Sequence, residues 1–263
     1  MIFRKGYLKK HISPYSFIGK LVFKKDFLFN IKENFKNNDE TIHEARNVLK
    51  IISHAGLSTV VKAFKVPNVV NQFAYAYLRG SKASKSYVNG MKLMELGVKS
   101  PEPIGYIEFY EKGLLKESFF ISINQESNFL IREPLYENNF PDRKNIIEQF
   151  ATFTYKLHQK NVFHKDYSAG NTLVIDNKDG TYGFSIVDIN RMQFKSIDLN
   201  LAMENFNKLW ANEETLTIIA KEYAKVSEYD EQECISLIIA HDKKLKEFVE
   251  RRRAIKAWIK GKK

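Results

Sequence analysis

Hydrophobic residues follow two different spacings along the chain. Up to residue 123 they lie mostly in short segments typical of strands, except in one segment after Ser81 where they recur at three and four residues. The predicted elements of this part are strands over 27–35, 46–53 and 58–64, a helix over 81–96, and strands over 104–110 and 118–123. Beyond Asp142 the spacing is mostly helical, and it predicts a helix capped by Asp142, helices over 200–210 and 213–226, and a long helix from about residue 231. The pattern therefore predicts an α+β protein with an antiparallel sheet in its N-terminal part and a mostly helical C-terminal part.

One short hairpin is predicted inside the helical part, and polar residues stand at both of its ends. The strands over 172–176 and 183–187 are joined by residues 177–180, whose Asp-Gly pair is typical of a tight turn. Because an antiparallel hairpin returns the chain to the edge from which it started, Asn171 and Asp188 are expected to be neighbours. Magnesium binds a few protein oxygens together with phosphate oxygens, so this amide and this carboxylate suit it.

A third polar residue, Asp166, lies five positions before Asn171. Phosphoryl transfer requires positioned charge more than covalent chemistry, and an acidic residue, two metal ligands and a lysine supply that charge. Asp166 would face the attacking hydroxyl as a base or as an orienting group, which predicts a kinase-like phosphotransferase. The alternative is that these residues only form turns, which is the expected role of Asp179. His164 is expected to be a structural hydrogen-bonding group of the loop.

Lys62 lies in a predicted strand, on the same face as Val60 and Phe64. A charge on an apolar face is unfavourable without a partner, so Lys62 requires an anion. The α- and β-phosphates of ATP would provide one. The alternative is an edge-strand lysine that discourages aggregation.

The formal charge of +11 is concentrated at the two ends of the chain. Residues 1–25 hold seven Lys or Arg and no acid, and residues 241–263 hold ten against three acids, whereas the segment between them is slightly acidic. Aromatic residues such as Phe3 and Trp258 are interleaved with this charge. The mixture favours contact with an anionic membrane surface. A solvated basic tail and a nucleic-acid patch are the alternatives, but no nucleic-acid-binding motif accompanies the charge, so no nucleic-acid partner is expected.

Composition limits the protein class and compartment. A length of 263 residues with 44% hydrophobic residues predicts a globular protein with a substantial core. The single cysteine, Cys234, cannot form an internal disulfide, and neither a signal peptide nor a spanning segment is recognised. A cytoplasmic location is therefore expected, with a basic aromatic segment over 1–26, a sheet region over 27–123 and a helical region over 124–263.

Four segments resemble the lipopolysaccharide kinase (Kdo/WaaP) family of the protein-kinase-like superfamily. They are Val60 to Lys62, Leu96 to Ile104 with its Pro-x-Pro, His164 to Asn171, and Val187 to Met192 with its Asp-x-x-Arg. The resemblance, which spans about residues 45–195, implies a two-lobe kinase-like fold with ATP and Mg²⁺ as cofactors. It also implies phosphorylation of a sugar hydroxyl of the lipopolysaccharide inner core, Kdo or heptose. The partners would be lipopolysaccharide or a lipid A-core precursor and the anionic inner-membrane surface, with the protein peripheral to the cytoplasmic face of a Gram-negative inner membrane.

The same resemblance implies a function for each motif residue. Lys62 would hold the α- and β-phosphates, Asp166 would be the catalytic aspartate, and Asn171 and Asp188 would hold magnesium. Arg191 would either brace the metal-binding loop or meet an anionic acceptor, and the sequence leaves both roles open.

Two departures from the family pattern keep other functions open. Residues 36–45 contain no glycine, so no glycine-rich phosphate loop precedes the second strand. The family's helix glutamate that should pair with Lys62 falls at Ser86, and Glu95 is the nearest acid in that helix. A membrane-associated pseudokinase scaffold is therefore one alternative, beside a soluble amino-sugar or antibiotic phosphotransferase and a protein kinase. The sequence does not specify the acceptor sugar and hydroxyl, the number of phosphates added or the oligomeric state.

Overall fold

A six-stranded antiparallel sheet forms the centre of the first of two units of the chain. The structure, a computed structural model, describes residues 8–12, 27, 30–38, 40–44, 47–54 and 56–261. The first unit comprises residues 1–126 and 188–190, and the second comprises 127–187 and 191–263. Most of the predicted basic N-terminal segment lies outside the described residues.

The elements of the first unit follow one another in a simple order. They are β1 (Leu8–Ile12), α1 (Ile31–Lys36), β2 (Thr41–Glu44), β3 (Asn47–His54), β4 (Leu57–Phe64), α2 (Val69–Tyr77), α3 (Lys82–Glu95), β5 (Pro103–Glu111) and β6 (Leu114–Ile123). The strand order is β1-β5-β6-β4-β3-β2, and all pairings are antiparallel. Lys62 of β4 pairs with Phe120 of β6, so their side chains share one face of the sheet.

Each face of this sheet is covered by its own apolar cluster. One cluster contains Phe27 and Ile31 with Phe119 of β6, and the other contains Ala83 and Tyr87 of α3 with Phe120. Because successive strand residues point to opposite faces, Phe119 and Phe120 extend into the two different clusters. The helix α3 is thereby fixed on the face that also carries Lys62.

The predicted strands around this core are confirmed within four residues at each end, except for the first. The segment 27–35 was predicted to be a strand, and this prediction is wrong because residues 31–36 form α1. Phe27, Ile31 and Phe35 recur every four residues and pack on one cluster, which is helical spacing. The helix α2 was not predicted. It begins at an Asn68 cap, whose side chain accepts the amide hydrogen of Asn71 at 3.0 Å.

The second unit is mainly helical, as predicted. It contains β7 (Phe129–Leu130), α4 (Arg132–Tyr136), α5 (Arg143–Gln159), β8 (Val162–His164), β9 (Thr172–Asp176), β10 (Tyr182–Ile186), β11 (Met192–Phe194), α6 (Leu199–Asn205), α7 (Glu213–Ser227) and α8 (Glu231–Gly261). The predicted hairpin is present as β9 and β10, within a three-stranded sheet of order β10-β9-β7. No helix in the described ranges is both long and apolar enough to cross a membrane.

Asp142 is the N-cap residue of α5, as predicted. Asp142 has a left-handed backbone with φ of 53°, and its side chain makes no capping hydrogen bond. Its carboxylate instead accepts hydrogen bonds from Asn145 at 2.7 Å and from the Tyr182 hydroxyl at 2.9 Å. Asp142 therefore ties the start of α5 to β10.

A buried histidine links three helices of the second unit. His158 of α5 lies 2.9 Å from the Tyr223 hydroxyl through Nδ1 and 3.0 Å from Asn205 Oδ1 through Nε2. The Asn205 amide nitrogen in turn donates to the carbonyl of His164 at 2.9 Å. Burial lowers the pKa of His158 to about 4, against the smaller opposing effect of its hydrogen bond to Asn205. His158 is therefore neutral at pH 7 in the folded protein.

This buried histidine predicts a loss of stability in weak acid. The folded pKa lies below the ordinary value of 6.5, so between these two values the unfolded chain binds more protons than the folded protein. Stability therefore falls as the pH falls from 6.5 towards 4. We expect the wild type to lose about 2 kcal/mol more unfolding free energy between pH 7 and pH 5 than His158→Gln loses. Urea unfolding at both pH values measures this difference, and equal losses in the two proteins would contradict the assignment.

Candidate active site

The ammonium group of Lys62 meets the carboxylate of Asp188 within the first unit. Lys62 Nζ lies 2.5 Å from Asp188 Oδ1, and the lysine side chain is only 12% exposed. The ring of Phe64 flanks the ammonium group, with its centroid 5.4 Å from Nζ. A poorly solvated ammonium group needs an anionic partner. In this structure Asp188 is the anionic partner of Lys62.

The carboxylate of Asp188 is held in a defined orientation. Its backbone is left-handed, with φ of 55°, a conformation that aspartate tolerates better than most residues. Asn190 Nδ2 donates to the same oxygen, Oδ1, at 2.6 Å. Neither Lys62 nor Asn190 therefore donates a hydrogen bond to Oδ2 of Asp188. Asn89 of α3 donates to the carbonyl of Ile189 at 2.6 Å and fixes the backbone beside Asp188.

The helix α3 provides no acid at the position predicted to pair with Lys62. Ser86 is buried there, and its hydroxyl donates to the carbonyl of Lys82 at 2.9 Å. The helix instead approaches residues 188–190 closely at Gly90. A Cβ at this position would lie 3.1 Å from Pro103 and 3.2 Å from Ile189, so glycine permits the approach. Contacts from Asn89 and Gly90, rather than an ion pair, thus connect α3 to the Asp188 segment.

In the second unit, the loop that carries Asp166 is fixed from two sides. The amide of Asp166 donates to Nδ1 of the buried His164 at 3.1 Å, so Nε2 carries the ring hydrogen and donates to the Val187 carbonyl at 3.0 Å. Asn171 Nδ2 donates to the Asp166 carbonyl at 2.8 Å. His164 therefore has a structural function in this loop, and it joins the loop to the residue that precedes Asp188.

Two cations bind the carboxylate of Asp166. Arg191 Nη1 lies 3.1 Å from Oδ2, and Lys208 Nζ lies 3.2 Å from Oδ1 and 2.5 Å from the Lys165 carbonyl. Partial burial acts to raise the pKa of Asp166, but the hydrogen bonds and charges of Arg191 and Lys208 outweigh it. The pKa is lowered from the ordinary carboxyl value, so Asp166 is an anion at neutral pH.

The side chains predicted to bind magnesium have suitable donor atoms. The amide hydrogen of Val187 binds the Asn171 carbonyl at 2.9 Å, so the hairpin returns beside Asn171 one residue before Asp188. The amide nitrogen of Asn171 is engaged with Asp166, which makes its Oδ1 the atom able to bind a cation. One amide oxygen and one carboxylate fit the few protein ligands of a nucleotide-bound magnesium ion. Within the described part of the chain, no group of three or more His, Cys, Asp or Glu could hold a metal ion.

Three residues of this site were missed by the sequence analysis. Lys208 is 42 positions from Asp166 and lies in a short 3₁₀ helix, Phe206–Leu209, so no local pattern connects the two. Asn205 reaches the His164 carbonyl from α6. Asn89, three positions after Ser86 in α3, was not among the predicted residues, although it donates to the Ile189 carbonyl.

Comparison with known proteins gives evidence on the fold. No protein-family model matches the chain, and no curated protein matches it. Among solved structures, a structure of WaaP in complex with acyl carrier protein is similar, with a TM-score of 0.54 and 14% sequence identity. The match covers 90% of this chain and 99% of that one. It confirms the α+β, kinase-like two-lobe class with an antiparallel-sheet N-terminal region and a helical C-terminal part, and the chain therefore has a WaaP-like fold.

Proposed function

We propose that this protein is an ATP- and magnesium-dependent kinase that phosphorylates a sugar hydroxyl of a lipopolysaccharide core precursor. The observation that carries the proposal is the loop around Asp166, in which both carboxylate oxygens bind cations and His164 and Asn171 fix the backbone. The WaaP-like fold and the Lys62–Asp188 pair support it.

In the proposed reaction, the acceptor oxygen attacks the γ-phosphorus of ATP while the bond from that phosphorus to the β–γ bridging oxygen breaks, and ADP leaves. Asp166 accepts the hydrogen bond of the acceptor hydroxyl and orients its oxygen, and as the new P–O bond forms the hydroxyl proton passes along this hydrogen bond to the Asp166 carboxylate and from there to water. Lys62 would bind the α- and β-phosphates, while Asn171 and Asp188 would hold magnesium. When bound, the metal ion would neutralise charge on the phosphates.

The low pKa of Asp166 makes this residue an orienting group more than a strong base. A loose transition state places little demand on early proton removal, so orientation is the larger contribution. Arg191 and Lys208 then serve two purposes, since they keep Asp166 ionised and present positive charge to the reacting phosphate. This arrangement favours turnover by the chain over a pseudokinase scaffold, because a scaffold needs no such pair of cations.

A lipid-linked acceptor is proposed over a free sugar. The resemblance to the lipopolysaccharide kinase family supports it, as does the similarity to a WaaP structure solved in complex with acyl carrier protein, which favours lipid-related partners. The protein would then act as a peripheral protein at the cytoplasmic face of the inner membrane. Labelled-ATP transfer to lipid-linked core precursors, free amino sugars and protein, offered in parallel, separates this function from the two other kinase classes.

Lys208 offers a test of how Asp166 is kept ionised. In Lys208→Met, Asp166 loses one of the two cations that lower its pKa, so its pKa rises and the acid limb of kcat moves to higher pH. We expect a roughly tenfold lower kcat at pH 7, with an unchanged KM for ATP, and partial rescue by Lys208→Arg. A wild-type pH profile in Lys208→Met would contradict this role for the lysine.

A further inference from the structure

The final turns of α8 present an apolar stripe of four large side chains, each more than half exposed. Phe248, Ile255, Trp258 and Ile259 are 55%, 57%, 62% and 53% exposed. Their spacing of seven, three and one residues places all four on one face of the helix. Large apolar side chains grouped in this way on a surface are typical of an interaction site.

The rest of the same segment is strongly basic. Residues 251–263 contain seven Lys or Arg and no Asp or Glu. The side chains of Arg251, Arg252, Arg253 and Lys256 are all exposed, and the Arg252 guanidinium lies 5.6 Å from the centroid of the Phe248 ring. Positive charge therefore borders the apolar stripe.

The first half of α8 holds this segment firmly on the second unit. Cys234 and Ile238 are fully buried. Lys246 Nζ pairs with Asp242 at 2.6 Å and donates to the Ala211 carbonyl at 3.1 Å. All residues from 250 to 259 are exposed, so the helix continues beyond its last support for about 15 Å.

We propose that this segment, Phe248–Gly261, lies on the surface of a bilayer rich in anionic phospholipid. A helix segment whose large exposed side chains are aromatic and aliphatic residues interspersed with cations can insert its apolar groups between headgroups while the cations bind lipid phosphates. A solvated tail would leave the apolar stripe exposed to water. The absence of any acid after Glu250 matches a surface that is uniformly negative.

The inference deepens the proposed function, because it identifies the part of the chain that would bring a lipid-linked acceptor within reach. Its test does not depend on that function, since vesicle binding is measured without phosphoryl transfer. If the protein binds vesicles but transfers no phosphate, only the proposed function is contradicted. If the protein transfers phosphate but does not bind vesicles, only this inference is contradicted.

The test measures sedimentation of the full-length protein with vesicles of 30% phosphatidylglycerol in phosphatidylcholine, and with phosphatidylcholine alone. We expect binding to the anionic vesicles and weak binding to the neutral ones. Each exposed cation contributes about a fivefold factor, so the triple variant Arg251→Gln, Arg252→Gln, Arg253→Gln should bind about a hundredfold more weakly. The triple variant Ile255→Ser, Trp258→Ser, Ile259→Ser should lose at least about tenfold.

Matched controls remove equal charge or equal apolar surface elsewhere. Lys92→Gln, Lys144→Gln and Lys221→Gln remove three exposed cations, and Val70→Ser, Phe73→Ser and Leu78→Ser remove three exposed apolar side chains of α2 and its C-cap. Both control proteins should bind within about threefold of the wild type. The inference is overturned if the wild type does not bind anionic vesicles. It is also overturned if the control proteins lose as much vesicle binding as the α8 variants. It is also overturned if the α8 variants change the oligomeric state instead of vesicle binding.

Discussion

Replacing Asp166 by alanine is expected to lower kcat for phosphoryl transfer about a thousandfold, one of the two largest effects expected for single substitutions in this site. The substitution removes the only group proposed to orient the acceptor hydroxyl. It also leaves Arg191 and Lys208 without the carboxylate that both bind. Nucleotide affinity should change less than about threefold, since Asp166 is not proposed to bind ATP. Labelled-ATP transfer gives kcat, and a thermal-shift titration gives the ATP affinity.

Asp179 provides a matched control for this substitution. Its carboxylate accepts hydrogen bonds from Thr181 within the hairpin turn, at 2.9 Å from the amide and 2.6 Å from the hydroxyl. Asp179→Ala should therefore leave kcat within about twofold of the wild type. Equal losses of kcat and ATP affinity in Asp166→Ala would contradict the role of Asp166 in orienting the acceptor.

The second large effect is expected for Asp188→Asn, which keeps the shape of the side chain and removes its charge. Loss of a carboxylate proposed to bind magnesium should lower kcat/KM about a thousandfold, which is roughly 4 kcal/mol of transition-state stabilisation. The magnesium concentration at half-maximal activity should rise at least tenfold. Lys62 would also lose its anionic partner, so the unfolding temperature of the nucleotide-free protein should fall.

Asp198→Asn is the control for this change. Asp198 caps α6 by accepting the Leu201 amide hydrogen at 2.8 Å, and asparagine serves equally well as a cap. Its kcat/KM and its magnesium requirement should match those of the wild type. An unchanged magnesium requirement in Asp188→Asn would remove Asp188 as a metal ligand, whatever its effect on stability.

Local patterns were sufficient to predict one part of this site. The β9–β10 hairpin was predicted because its two strands and its Asp-Gly turn are encoded in adjacent residues. The return of the chain to Asn171 follows from hairpin geometry alone, and the bond from the Val187 amide to the Asn171 carbonyl confirms it. The helix α3 was predicted for the same reason, since Ser81 caps it locally by accepting the Ser84 amide hydrogen at 3.0 Å.

Contacts between distant residues were not predictable from local patterns. Lys208 meets Asp166 only because α6 and the following 3₁₀ helix pack beside the loop, and nothing within a window around either residue encodes that contact. The contact between Lys62 and Asp188 was not predictable for the same reason, because 126 positions separate the two residues.

The prediction of a strand over 27–35 was wrong for a different reason. Phe27, Ile31 and Phe35 recur every four residues and pack on one cluster, which is helical spacing, so the predicted strand had the wrong period.

The most direct test of the central claim is transfer of labelled γ-phosphate from ATP to a lipid-linked lipopolysaccharide core precursor, with wild type and Asp166→Ala compared at saturating magnesium. The account predicts magnesium-dependent labelling of the precursor by the wild type at a rate about a thousandfold above that of Asp166→Ala. Labelling that is absent, or equal in the two proteins, would contradict it.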